Sequence, residues 1–232
     1  MQHQPAPQRH PAQPEPQHQP AQPAPQRPAQ KSIAVLSLQG DFSQHMQKVT
    51  ALGHRGVEVR RAEDLNYCQG LILPGGESTT IGMLLRRRGL DRAIAQKIRD
   101  GMPVFGTCAG MILLAKTVTG RCECTFEVLD IEVERNAYGS QIESFESSLI
   151  IDTGRVPPYS FTAIFIRAPR ITYCSDDVRI LSEFENSPVM IQQNNILACG
   201  FHPELTSDTR IHEFFINDLC RDYTPEIPEA GR

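Results

Sequence analysis

Three short apolar runs in the first half of the chain, Ile33 to Leu38, Gly70 to Leu73 and Pro103 to Gly106, each stop at a turn of small residues and give way to a helical pattern. A short apolar run without polar alternation reads as a strand buried on both faces, and strands that alternate with helices pair in parallel through crossovers. Val57 to Arg60 reads as one more such strand. Helices are expected from Phe42 to Leu52, Ser78 to Arg88, Asp91 to Asp100 and Met111 to Thr117. Past Gly120 the pattern turns strand-like, with runs at Val128 to Val133, Ser148 to Ile151, Ala163 to Ile166, Val178 to Leu181, Val189 to Gln192 and Ile196 to Gly200. A helix from Ser207 to Asp222 closes the chain. The expected fold is α/β, a three-layer core whose mostly parallel sheet is extended by antiparallel strands.

That core does not need all 232 residues. Of the first thirty, nine are Pro and nine Gln, and none is Leu, Ile, Val or Phe. Such a segment cannot bury enough apolar surface to offset its chain entropy, so residues 1–30 are expected to be a disordered tail. With only Arg9 and Arg27 as basic residues, no Ser and Pro throughout, it does not suit a transit helix or signal peptide. Residues 31–223 are the expected single domain, followed by a short C-terminal tail, 224–232. The formal charge of −4 and a lone basic run, Arg86 to Arg88, give no electrostatic case for nucleic acid. No apolar stretch reaches the ~18 residues that suggest a membrane span. Seven cysteines without regular spacing point to a reducing compartment, and so to the cytoplasm. The lone C-x-C of Cys122 and Cys124 is thin support for a metal, and none is expected.

In a parallel sheet, ligands gather at the carboxyl ends of the strands, and three segments there carry chemistry. Gly106-Thr107-Cys108-Ala109-Gly110 places a cysteine among small residues at a strand-to-helix turn, the layout of a nucleophile elbow. The positive end of the following helix favours thiolate, and the N–H of Ala109 would face an oxyanion. A thiol nucleophile works best with a base. Among the four histidines outside the tail, His202 directly follows an apolar run, whereas His54 lies in a turn and His212 inside the last helix. Glu204, two residues beyond His202, can accept the second imidazole N–H and fix the tautomer. Leu73-Pro74-Gly75-Gly76-Glu77-Ser78-Thr79-Thr80 puts consecutive backbone donors at a helix start, suited to an oxyanion or a carboxylate, without nucleotide P-loop spacing. Each segment also has a plain structural reading: a buried thiol beside a cap, a surface turn, an N-cap at Ser78.

Together these segments resemble the class I, triad-type glutamine amidotransferases. With Leu38-Gln39-Gly40, Gly70 to Thr80, Arg135-Asn136-Ala137-Tyr138-Gly139, Phe165 to Pro169 and Phe201 to Thr206, the chain is similar from Ser32 to Tyr223 to the glutaminase subunits of pyridoxal 5'-phosphate synthase. The resemblance implies Cys108 as nucleophile, His202 as general base and acid, and Glu204 as its orienting carboxylate. It implies glutamine held by Gly76, Glu77, Ser78, Arg135, Ile166 and Arg167, with the oxyanion met near Gly75, Gly76 and Ala109. No cofactor is implied. A synthase subunit is, as the partner that takes the ammonia and on whose docking the activity mainly depends.

Two segments depart from that pattern. Gln44 precedes the early histidine, His45, where a Glu is usual, and Arg121 to Glu127 replaces a Gly-containing stretch. The alternatives to an active glutaminase are a non-catalytic docking subunit, against which the intact Cys, His and Glu set argues, and a Cys-elbow hydrolase without a glutamine-carboxylate site, against which Arg135 and Arg167 argue.

Overall fold

The computed structural model describes residues 29–120, 125–135 and 144–225. The calls on residues 1–28, on Cys122 and Cys124, on Asn136 to Gly139 and on residues 226–232 lie outside the described residues. Among the described residues the strands and helices are, in chain order, β1 (Ser32–Leu36), α1 (Phe42–Ala51), β2 (Arg55–Val59), β3 (Gly70–Leu73), α2 (Ser78–Arg88), α3 (Leu90–Arg99), β4 (Val104–Thr107), α4 (Ala109–Leu114), β5 (Ala115–Thr119), β6 (Leu129–Glu134), β7 (Ser144–Ile151), β8 (Tyr159–Ile166), β9 (Arg170–Cys174), β10 (Arg179–Phe184), β11 (Ser187–Gln193), β12 (Ile196–Cys199) and α5 (Arg210–Phe214).

The central sheet runs β10-β11-β12-β4-β3-β1-β2. From β2 to β12 its neighbours are parallel, and β11 and β10 add antiparallel pairs at one edge. The fold class read from the sequence is therefore the observed one. The strand period of two sorts the core onto two faces. Ala34, Leu36, Leu71, Leu73, Val104 and Ala198 pack against Ile81 and Leu85 of α2, Ile94 of α3 and the apolar run of α4. Ile33, Val35, Ile72, Phe105 and Leu197 point the other way, onto Val49 of α1, Ile211 of α5 and the following Phe215.

Two smaller sheets complete the outer layers. β5, β6 and β9 contribute Leu129, Ile131, Val133 and Ile171 to the first face. The β7–β8 hairpin contributes Leu149, Ile151, Phe161 and Phe165 to the second.

Two expectations are corrected. The helix expected from Met111 to Thr117 ends at Leu114, and Ala115 to Thr119 pair with β6 instead. Thr117, Val118 and Thr119 are β-branched and fit a pleated strand better than a helix. The last helix begins only at Arg210 and becomes a π-turn from Phe215 to Leu219. Its expected first turn is diverted: Asp208 N–H donates to Thr206 Oγ1 (3.2 Å) and Arg210 N–H to Asp208 Oδ1 (2.9 Å), local bonds that compete with helix. Strand β9 had no expectation in the sequence. The triple arginine of α2 is an exposed face, as read.

Candidate active site

Leu73, Gly106 and Ala198 are in register across β3, β4 and β12, so the three chemical segments leave the same edge of the sheet side by side. Cys108 caps α4 with φ 48° and ψ −102°, a strained conformation for a residue with a side chain. Its N–H donates to Cys199 O (2.8 Å), which holds the turn against β12. Close packing is enforced by glycine: a Cβ on Gly110 would lie 2.0 Å from Leu73 O, and one on Gly75 would lie 2.3 Å from His202 Cε1.

His202 N–H donates to Ile164 O (2.8 Å), which ties the strand end to the covering hairpin. Nδ1 of its ring lies 2.8 Å from Glu204 Oε1. A carboxylate can only accept, so Nδ1 carries the proton and Nε2 is left for Cys108. Burial alone would lower the pKa of His202, but hydrogen bonds to Cys108 and Glu204 outweigh it and push the value up to about 10. Burial raises the pKa of Glu204, yet the nearby His45 and His202 hold it well below the usual carboxylate range. The arrangement favours a charged imidazole between a thiol and a carboxylate.

The pocket in front of Cys108 has a volume of about 150 Å³. Every residue expected to bind substrate lines it: Gly76, Glu77, Ser78, Arg135, Ile166 and Arg167. The cysteine thiol itself points to Ile166 O at 3.8 Å. Glu77 accepts from Thr80 Oγ1 (2.7 Å) and caps α2 by accepting from Thr80 N–H (2.7 Å) and Thr79 N–H (3.2 Å), bonds that together pull its pKa down to about 2. Arg135 reaches Glu77 Oε1 and Thr79 Oγ1, both at 3.2 Å. Ser78 Oγ is buried and makes no hydrogen bond among the described residues. Glu204 stands behind His202 rather than in the pocket wall.

One expected oxyanion donor is differently engaged. The N–H of Gly75 donates to Thr107 Oγ1 (3.1 Å), because a buried amide in this turn needs a partner. Gly76 lines the pocket, and Ala109 begins α4 beside it.

Sequence reasoning missed four residues that meet here. Asp41, at the start of α1, lines the pocket and brings Oδ2 to 3.8 Å from His202 Nδ1. Thr107 touches Gly75 and His45, and His45 touches His212. The helical period places His45 on the same face of α1 as Val49, which was the available signal. Asp41, His202 and Glu204 bring ligand-type atoms within 4.8 Å of one another. A metal would need the Nδ1 lone pair of His202, and that nitrogen carries the proton shared with Glu204.

The sequence model described as the SNO glutamine amidotransferase family matches residues 35–221. A pyridoxal 5'-phosphate synthase subunit PdxT from Fervidobacterium nodosum is 47% identical over 184 residues, covering 79% of this chain and 95% of its own. The protein of that name from Thermotoga maritima is also 47% identical, over 79% of this chain and 97% of its own. A solved crystal structure of a glutamine amidotransferase superposes with a TM-score of 0.76 at 42% identity, covering 81% of this chain and 98% of that one. The structure of PurLQS from Thermotoga maritima shares the fold alone, with a TM-score of 0.60 at 14% identity, over 81% of this chain and 98% of that one.

Proposed function

The chain belongs to the SNO glutamine amidotransferase family, and from that premise we propose that Cys108, His202 and Glu204 are the triad by which it hydrolyses L-glutamine to L-glutamate and ammonia. One observation carries the reading: a thiol paired with a carboxylate-anchored imidazole opens into the same pocket as two arginines.

Arg135 and Arg167 hold the α-carboxylate of glutamine, which guanidinium groups suit by their planar pair of donors. Glu77, Ser78 and Ile166 complete the pocket. The Cys108 thiolate attacks the side-chain amide carbon, and the oxyanion that forms is met by the N–H groups of Gly76 and Ala109. Gly75 joins them when its hydrogen bond to Thr107 is exchanged for one to the oxyanion. Protonated His202 gives its proton to the departing nitrogen as the C–N bond breaks, releasing ammonia. The neutral imidazole then takes a proton from water as the water oxygen attacks the γ-glutamyl thioester, returning thiol and glutamate.

The ammonia serves a partner synthase subunit in vitamin B6 biosynthesis, a reading supported by relatives that are named as subunits of pyridoxal 5'-phosphate synthase. The two subunits form a hetero-oligomer, with the glutaminase active mainly when docked. Residues 31–223 are the unit that does this work, and its place is the cytoplasm, where a nucleophilic thiol stays reduced. The helices described contain none long and apolar enough to cross a membrane.

The test is glutamate release from glutamine, with and without a matching synthase. Cys108→Ala is expected to bring release to background in both cases. Unchanged release in that variant would remove Cys108 from the mechanism.

A further inference from the structure

Behind the triad lies a buried pair of histidines that the mechanism above does not use. His45 and His212 are both fully buried, as is Thr107 between them and the pocket. His45 Nδ1 lies 2.9 Å from His212 Nε2, and His45 Nε2 lies 3.2 Å from Thr107 Oγ1 and 3.5 Å from Glu204 Oε2. Oε2 makes no hydrogen bond of good geometry among the described residues, so the His45 ring edge is the polar group set against it. The other oxygen of the same carboxylate is the one that anchors His202.

We propose that His45 is a positioning residue for this reaction, fixing the free oxygen of Glu204 and, through Thr107, the Gly75 peptide. The inference rests on the triad reading given above. Glu204 is held ionised and can only accept, so His45 Nε2 must carry a proton. Burial, with the neighbouring His45 acting in the same direction, drives the pKa of His212 well below its ordinary value, so His212 is neutral. It braces the Nδ1 side of His45 and keeps Nε2 turned toward Glu204. Thr107 Oγ1 meets both the N–H of Gly75 and His45 Nε2, so one imidazole touches the base end of the triad and the turn beside the oxyanion. A packing role alone, against Phe105, requires ring shape and no N–H at Nε2.

Three substitutions separate these roles. A Gln side chain can place an N–H where Nε2 stands, Asn reaches only the Nδ1 position, and Leu has no donor. With the synthase present, His45→Gln should keep kcat for glutamate release within about threefold of the unchanged chain. His45→Leu and His45→Asn should lower kcat by roughly ten- to a hundredfold, the worth of a hydrogen bond to a buried charged group, with KM little changed. Alkylation of Cys108, followed by peptide mass on the chain alone, gives a second readout. His45→Asn should slow it in the unchanged background and have no further effect in Glu204→Gln, because His45 acts through that carboxylate. Equal activity of the folded Asn and Gln variants would overturn the proposal, as would a full alkylation effect surviving in Glu204→Gln. The Cys108→Ala control separates the two levels: if it retains glutamate release the triad reading fails, and if it is inactive while His45→Asn is not, this inference alone fails.

Discussion

Cys108 is a good example of a side chain whose chemistry follows from its backbone. Its positive φ is unfavourable for any residue with a Cβ, and persists because the neighbouring strands hold the turn from both sides. The thiol is thereby turned away from the helix and toward the pocket. His202 answers it with a proton that the pair with Glu204 stabilises. The pKa of this histidine is raised in the folded protein from 6.5 to about 10, so the associated stability is fully present below about pH 6.5 and is lost as pH rises through about 10. The thermal midpoint of the unchanged chain should therefore fall more steeply between pH 7 and pH 10.5 than that of His202→Gln. Scanning calorimetry of both proteins across that range checks it, and parallel curves would contradict the charged pair. Cys108, His202 and Glu204 could be named from sequence because each sits at a recognisable strand end. His45 and His212 could not be joined to them, since they lie 167 residues apart in the chain and meet only because α1 and α5 pack on the same face of the sheet.

The elements of the site depend on close approach. Strands β3 and β4 are fully buried, and α4 crosses their ends with no room for a side chain at Gly110. A methyl group there would press on backbone rather than on a movable side chain, so β3 or the elbow must shift. Gly110→Ala is expected to destabilise the fold by about 1–3 kcal/mol, the usual cost of overpacking, and to lower kcat as the elbow moves. Urea unfolding together with glutamate release would show both, and a variant with unchanged stability would refute the crowding argument. Strands and helices with strong periodicity were legible from their residues alone, with ends within a few positions. The failures came where a tertiary partner decided the outcome. Ala115 to Thr119 leave the helix because β6 lies beside them, and the last helix is reshaped by side-chain bonds at Thr206 and Asp208.

At the scale of the whole molecule, the first thirty residues lack the large aliphatic and aromatic side chains that build both faces of the core. Removing residues 1–28 is expected to leave the thermal midpoint within about 2 °C, since a shift of that size corresponds to no more than about 0.5–1 kcal/mol in a domain of this length. A large drop would show that the segment is part of the folded unit. The sequence by itself determined the layered α/β fold, because apolar runs and small-residue turns follow from local pattern. It also named the residues proposed to react and those that line the pocket, because the resemblance lies in contiguous motifs at strand ends. Only the tertiary structure decided that Gly75 gives its N–H to Thr107, that Asp41 stands at the pocket, and that two histidines lie behind Glu204. These are contacts between side chains and turns brought together by sheet order. Nothing in the local spacing of the chain fixes which of them meet.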